Sequence, residues 1–287
     1  MKTSLLIILA ILAAILILTV MMVAYNFNSF KRKVAGEIDA IFGGQPQGGG
    51  EILTEADIEY LPPAVQKHLH YSGVVGRPKI TSARVRQTGR IRTAPEQPWM
   101  EFTAEEYYTT APPQFLWHAK AKFFSIPLLI RDRLYQGEGE ILGKVLATIP
   151  VAVGSGPEMT QGSMLRYLNE VMFFPSAFVS EFITCEAIDE MSARSTLSHD
   201  GQQVSAVWYF DDEGCIVNMV GERYYSHPDG SYSMETWETP ITDYAEFDGI
   251  RIPSAGVGIW KLDSGDFTYV EIEIQEIEYN NPQRFEK

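Results

Sequence analysis

From Thr81 to Tyr279, one helical stretch apart, successive side chains fall on opposite faces with a period of two residues, and that period permits little besides antiparallel strands. Residues 114–123 show the pattern cleanly. Phe115, Trp117, Ala119, Ala121 and Phe123 fall on one side, and His118, Lys120 and Lys122 on the other. Similar runs predict strands at 83–92, 99–109, 128–137, 141–149, 181–187, 191–198, 203–210, 216–225, 232–239, 255–262 and 267–279. Turn signals separate many of them, such as Asp200-Gly201, Pro228-Asp229-Gly230, Asp248-Gly249 and Asp263-Ser264-Gly265. The expected fold is mainly antiparallel β (α+β): a curved meander sheet or half-barrel of about a dozen strands with an inserted helix. In the first hairpin, setting Arg92 against Trp99 brings Arg90 to Glu101, Thr88 to Thr103 and Arg86 to Glu105. These pairs read as a solvated charged face, each pair contributing a few tenths to one kcal/mol.

Before the strands the period is helical. Thr54-Glu55-Ala56-Asp57 fits a capping box. Pro62-Pro63 opens a second short helix that should end near Tyr71-Ser72-Gly73. The inserted helix is expected at 158–173, with Met164, Leu165, Leu168, Val171 and Met172 on one apolar stripe. Arg166 and Glu170 stand i, i+4 on another side and can pair. Pro175 stops the helix after Phe173-Phe174.

The first 30 residues are of another kind. Leu5 to Ala24 holds no charge and one hydroxyl residue, Thr19. Twenty helical residues reach roughly 30 Å, the thickness of a bilayer's hydrocarbon core. A secretory signal peptide would be shorter and would end in a small-x-small site, where this chain has Tyr25-Asn26-Phe27-Asn28. The division expected is a transmembrane anchor at 1–30, a juxtamembrane segment and glycine-rich linker at 31–52, and one β-rich globular domain at 53–287. Residues 31–42 could continue as a short amphipathic helix, and 43–50 (GGQPQGGG) read as a flexible linker.

Four of the 23 basic residues lie at or before Lys33, and no acidic residue precedes Glu37. The rest of the chain therefore carries 37 acidic against 19 basic residues. That balance argues against nucleic acid and against broad contact with anionic surfaces. Two cysteines, Cys185 and Cys215, make no disulfide framework, and two separate thiols are the simpler reading.

Catalytic constellations are scarce. The chain has no G-x-S-x-G elbow, no phosphate loop and no H-E-x-x-H. His68 and His70 would point apart on a helix, so no metal site and no cofactor is expected. Asp211-Asp212-Glu213 reads as a hairpin turn rather than a cation loop. Aromatic content is more telling: all five tryptophans fall in predicted strands. A dozen strands with one apolar face each make more apolar surface than a few helices can cover. A curled sheet with a cavity under the inserted helix would hold an acyl chain or a similar ligand.

The order of several segments resembles an uncharacterised family of bacterial proteins that carry an N-terminal hydrophobic segment. The residues are Pro113-Gln114-Phe115-Leu116-Trp117-His118-Ala119-Lys120, then Arg131-Asp132 with Gly137-Glu138-Gly139. Arg166-Tyr167-Leu168-Asn169-Glu170 and Phe174-Pro175-Ser176-Ala177-Phe178 follow, then Arg251-Ile252-Pro253 and Tyr279-Asn280. That resemblance implies no activity and no catalytic residues. The order of helix, meander, inserted helix and further strands is similar to lipoprotein-carrier half-barrels of the LolA/LolB type, which implies lipid handling by analogy. Such half-barrels work outside the cytoplasm. The charges flanking the anchor favour a cytoplasmic domain by one residue, so the side stays open, leaning extracytoplasmic.

The expectation that emerges is a non-catalytic, membrane-tethered protein that binds a lipid or other apolar ligand. Arg166, Tyr167 and Glu170 would be polar groups near the cavity mouth. Trp117, Met164, Leu168, Phe174 and Trp208 would be apolar wall, with Arg131 also at the site. An alternative is a protein-interaction module, which predicts an exposed apolar patch or open strand edge. A third is a hydrolase with Arg131, Asp132, Arg166 and Glu170 in one cleft.

Overall fold

Two-residue periodicity resolves into one curled sheet. A computed structural model describes residues 2–48, 50–123, 125–227 and 229–286, without the Lys2 side chain. Gly49 of the glycine-rich run and Pro228 of the expected turn therefore lie outside the described residues, as do Met1, Phe124 and Lys287. Among the described residues the strands are β1 (Ser82–Ile91), β2 (Met100–Thr110), β3 (Pro113–Phe123), β4 (Ile126–Tyr135), β5 (Glu138–Val145), β6 (Ile149–Gly154) and β7 (Ile183–Ala187). The rest are β8 (Ser192–His199), β9 (Gln202–Phe210), β10 (Ile216–Ser226), β11 (Tyr232–Glu238), β12 (Ile241–Phe247), β13 (Ile250–Leu262) and β14 (Gly265–Tyr279). The helices are α1 (Lys2–Ile41), α2 (Glu55–Ile58), α3 (Pro63–Ser72) and α4 (Pro157–Glu170).

The sheet order is β6-β5-β4-β3-β2-β1-β14-β13-β11-β10-β9-β8-β7, and β12 pairs with the first half of β13. α4 touches β4 and β5 from one end of this order and β8, β9 and β10 from the other. The sheet therefore curls around α4 as a half-barrel. Gly139 lets the helix come this close, because a side chain there would strike Ser163 and the backbone of Met159 and Thr160.

Two strands have no counterpart in the expected set. Residues 141–149 read as one run, but Leu146 and Ala147 both take positive φ (50° and 53°), and the chain doubles back there into β6. Leucine and alanine are not turn residues, so the sequence carries no signal for that hairpin. β12 is short, and Pro253 disguises the half of β13 that pairs with it. The inserted helix ends at Glu170, and residues Val171–Phe173 continue as a 3-10 turn.

The first hairpin has the expected register: Arg86 faces Glu105, Thr88 faces Thr103 and Arg90 faces Glu101. The charges, however, turn mainly to the other neighbour. Arg90 binds Glu271 at 2.6 Å and Arg86 binds Glu276 at 2.7 Å, both on β14. Arg90 and Arg92 also lie over the Trp99 ring, at 4.7 and 4.6 Å.

Both faces of the sheet are covered, by different helices. The inner face packs on α4. The outer face should be polar, yet Tyr107, Leu116 and Leu129 on it are buried. They are covered by the second half of α1, whose Phe30, Val34, Ile38 and Ile41 form a small outer core with them. α1 is thus one unbroken helix of 40 residues, and residues 31–41 dock on the sheet as its amphipathic half. Glu37 makes ion pairs with Arg131 (3.4 Å) and Arg133 (3.3 Å), and Asp39 with Arg284 (2.9 Å). The glycine-rich run is also held: Gly48 donates to the Asn280 carbonyl and Gly50 to the Lys79 carbonyl. Residues 3–25 stand free, and that stretch is long and apolar enough to cross a bilayer.

At the opposite end from α4's entry, α2 and α3 close the sheet. Thr54 and Asp57 form the capping box, and Gly73 ends α3 in the left-handed conformation at φ 76°. His68 and His70 point apart on α3. His70 reaches Glu55 at the surface, while His68 is buried with Nδ1 on the Gly214 carbonyl at 3.0 Å. Cys185 and Cys215 are free thiols.

Two outcomes follow from this packing. Burial pulls His68 down to about 4, so the fold holds it neutral while the unfolded chain takes up a proton below its ordinary value of 6.5. Its stabilising contribution is complete above pH 6.5 and is lost as the pH falls towards 4, a change of about 3 kcal/mol. Urea unfolding of His68→Leu should therefore show a shallower loss of stability over that window than the parent. Replacing Glu37 by Gln should weaken α1 docking by roughly 1–3 kcal/mol, since Arg131 keeps only Glu140. Amide exchange over residues 26–42 should then rise about tenfold or more, with the sheet unchanged.

Candidate functional site

On β2 the inner face runs Phe102, Ala104, Glu106, Tyr108, and on β4 it runs Leu128, Ile130, Asp132, Leu134. Each strand thus places one carboxyl where its neighbours are apolar. α4 supplies the answer. Its Arg166 guanidinium binds Glu106 at 2.7 Å, Asp132 at 2.7 Å and Glu170 at 2.8 Å. The Arg166–Glu170 pair is the i, i+4 contact expected from the sequence. Gln87 donates to Glu106 at 2.7 Å and accepts from the Trp117 indole at 3.2 Å. Phe115 and Trp117 lie beneath the guanidinium, 4.9 and 5.2 Å from it.

Three acids around one base leave an excess of negative charge in a buried wall. Burial pushes the Glu106 carboxyl well above its ordinary value, and Arg166 offsets only part of this. Burial shifts Glu170 upward in the same way. It also works against the Arg166 charge, but the carboxyls of Glu106, Glu170 and Asp132 outweigh it and keep the guanidinium protonated. Asp132 Oδ1 and Glu170 Oε2 are buried with no donor among the described residues. The buried Tyr108 hydroxyl acts on both Glu106 and Glu170 and lowers each, but does not offset their burial.

Beside this cluster lies a cavity of about 680 Å³. It occupies the end of the half-barrel where β1, β3, β5, β10 and β13 finish and β2, β4, β11 and β14 begin. Its wall is mostly apolar, with Trp117, Ile130, Met172, Trp260, Val270 and Ile272 among the lining residues. Asp132, Arg166 and Glu170 form one charged side. Arg223 of β10 forms another. Its guanidinium lies 4.6 Å from the Trp237 ring and 5.6 Å from Trp260, donates to the Gly162 carbonyl at 3.1 Å and meets the Tyr269 hydroxyl at 3.4 Å. No carboxylate pairs with it among the described residues, whereas Arg166 has three.

The residues singled out in the sequence divide into three groups. Trp117, Arg166 and Glu170 line the cavity. Met164, Tyr167, Leu168, Phe174 and Trp208 are buried in the solid core on the other side of α4 and do not line it. The apolar stripe of α4 packs on β8–β10, and the cavity lies against the helix face carrying Met159, Gly162, Arg166 and Asn169, with Phe173 of the following 3-10 turn. Tyr167 donates to the Thr109 carbonyl at 2.9 Å. Arg131 is on the opposite face of the sheet with Glu37 and Glu140, because neighbours on a strand point opposite ways. Of the four residues named for a hydrolase, Asp132, Arg166 and Glu170 converge and Arg131 does not. Sequence reading missed Glu106 and Arg223. Both were legible as charges in the apolar phase of a strand: Glu106 between Ala104 and Tyr108, Arg223 between Gly221 and Tyr225.

Among the solved structures similar to this one is a DUF1329 family protein from Desulfovibrio piger. It has 9% sequence identity and a TM-score of 0.41, covering 80% of this chain and 95% of that one. A LolA superfamily protein from Nitrosomonas europaea has 10% identity and a TM-score of 0.36, covering 78% and 94%. With so few residues shared, no residue's role carries over. No curated protein matches the chain. Residues 51–272 do match a family model described as a family of unknown function, DUF6544, and the chain belongs to that family.

Proposed function

We propose that this protein is a membrane-tethered, non-catalytic binding protein for a lipid or similar ligand with an apolar chain. The observation that carries the reading is the apolar cavity of about 680 Å³ at the open end of the half-barrel. Its volume falls in the range of small-molecule sites, and a few polar groups in a mostly apolar wall is their usual composition. An acyl chain would lie along Trp117, Ile130, Met172 and Ile272. The free half of α1 would hold the protein in a membrane.

Arg166 and Arg223, two of the charged groups in the cavity wall, differ in what they offer a ligand. Arg166 is saturated by carboxyls. Arg223 has donors to spare and lies against two indole rings, so a carboxylate or phosphate head would bind there. Raised carboxyls beside a cavity are what an acid–base enzyme uses. Here both carboxyls are bound to Arg166, and the Glu106 pair holds α4 to the sheet, so a binding role is the simpler reading.

Photo-crosslinking tests this proposal. The full chain is reconstituted in vesicles and exposed to a diazirine-bearing palmitate. Adducts should map to the cavity wall, at residues such as Met172 and Ile272, and should be competed by unlabelled palmitate. Adducts confined to residues 3–25 would overturn the proposal. Arg223→Gln should reduce capture of the acid several-fold and leave capture of the matching diazirine alcohol unchanged.

A further inference from the structure

We infer that the cavity mouth is seated on the membrane that α1 enters, with Ile126, Ile149 and Val151 as an apolar lip in contact with lipid. The inference rests on the membrane tether of the proposed function, but not on the presence of a cargo.

The direction of α1 fixes which end of the half-barrel meets the membrane. Asn26 donates to Thr148, in the β5–β6 turn, at 3.0 Å. Gln45, just past the other end of the helix, donates to the Ala111 carbonyl in the β2–β3 turn at 3.0 Å. Those turns lie at opposite ends of the sheet. α1 therefore runs up the outer face from the mouth end to the far end, and its free half projects beyond the mouth. Residues 3–25 span about 35 Å as a helix. The β5–β6 turn then sits where the apolar stretch leaves the bilayer.

The surface at that level exposes apolar side chains. Ile126 is 42% exposed, Ile149 56% and Val151 57%. They lie on the β3–β4 and β5–β6 hairpins, next to one another in the sheet order and next to α1. Phe123 and Val151 also line the cavity, so the lip and the mouth are continuous. Isolated exposed apolar residues need no explanation, but a cluster at the rim of an apolar cavity does.

Charge points the same way. The chain holds 37 acidic residues, yet none occurs from Tyr107 to Arg131 or from Ile141 to Pro157, the two stretches that build the lip. The charges there are Lys120, Lys122, Arg131 and Lys144, with His118 beside them, and Lys31, Arg32 and Lys33 on the adjoining turns of α1. The other loops around the mouth carry Glu96, Asp229 and Asp263, and Asp266 stands at the start of β14. An apolar rim backed by lysines fits a bilayer interface with anionic headgroups, and the acidic loops fit the side tilted away into water.

The test uses the full chain, with Cys185 and Cys215 replaced by Ser, in nanodiscs of phosphatidylcholine and phosphatidylglycerol. A single cysteine is placed at Ile126, at Val151 or at Val217, and carries an environment-sensitive NBD label. Val217 is also exposed but starts β10 at the far end. At 126 and 151 the emission should shift to the blue and be quenched severalfold by lipids bearing nitroxide on the acyl chain; at 217 neither should occur. Water-like emission at all three sites overturns the inference. A blue shift without lipid quenching that appears only with two chains per disc also overturns it, and assigns the lip to contact between copies. Lipid contact without crosslinked cargo would sink the ligand reading and leave the orientation standing; cargo without lipid contact would do the reverse.

Discussion

Arg166 holds the half-barrel in its shape. Its guanidinium joins α4 to β2 through Glu106 and to β4 through Asp132, on a sheet face whose neighbouring strand positions are mostly apolar. Removing such a cation would leave three buried carboxyls facing one another, at a cost of several kcal/mol. The cluster also explains why the interior is solid on one side of α4 and hollow on the other. Met164, Leu165 and Leu168 interdigitate with β8–β10, whereas the helix face bearing Arg166 must stay at the distance its ion pairs set. The space left over is the cavity. An apolar void beside a rigid polar strut does not collapse by a simple change of rotamer.

The second constraint is outside the barrel. An exposed apolar strip on the outer face would invite aggregation, and α1 covers it. Because the same helix carries the free apolar stretch, the sheet has a fixed relation to that stretch rather than a loose tether. Glu37 sits at the centre of this contact, between Arg131 and Arg133. One helix thus performs two tasks that the composition assigns to separate segments.

Most of the architecture was legible because it follows from local pattern. Alternation gave the strands and, on β1–β2, the register as far as the pairing of Thr88 with Thr103. The cap at Thr54, the stop at Gly73 and the Arg166–Glu170 pair are nearest-neighbour events, and the sequence states them directly. What escaped depends on distant partners. A positive φ at Leu146 and Ala147 is imposed by the hairpin, not by those residue types. Helical periodicity identified an apolar stripe on α4 but could not say that it faces core rather than cavity. Arg131 looked like a site residue through its neighbour Asp132, although adjacent strand residues cannot share a face. Glu106 and Arg223 were readable as charges out of phase with an apolar face, a signal weaker than a motif but closer to the site.

The central claim is that the hollow beside Arg166 holds one apolar molecule per chain. Native mass spectrometry of the full chain released from membranes tests it most directly, alongside Ile272→Trp, which fills the cavity without touching α1. A single tightly held amphiphile on the parent chain, absent or much reduced in the filled variant, is the result expected. An identical complement of bound lipid on both, or none on either, would contradict it.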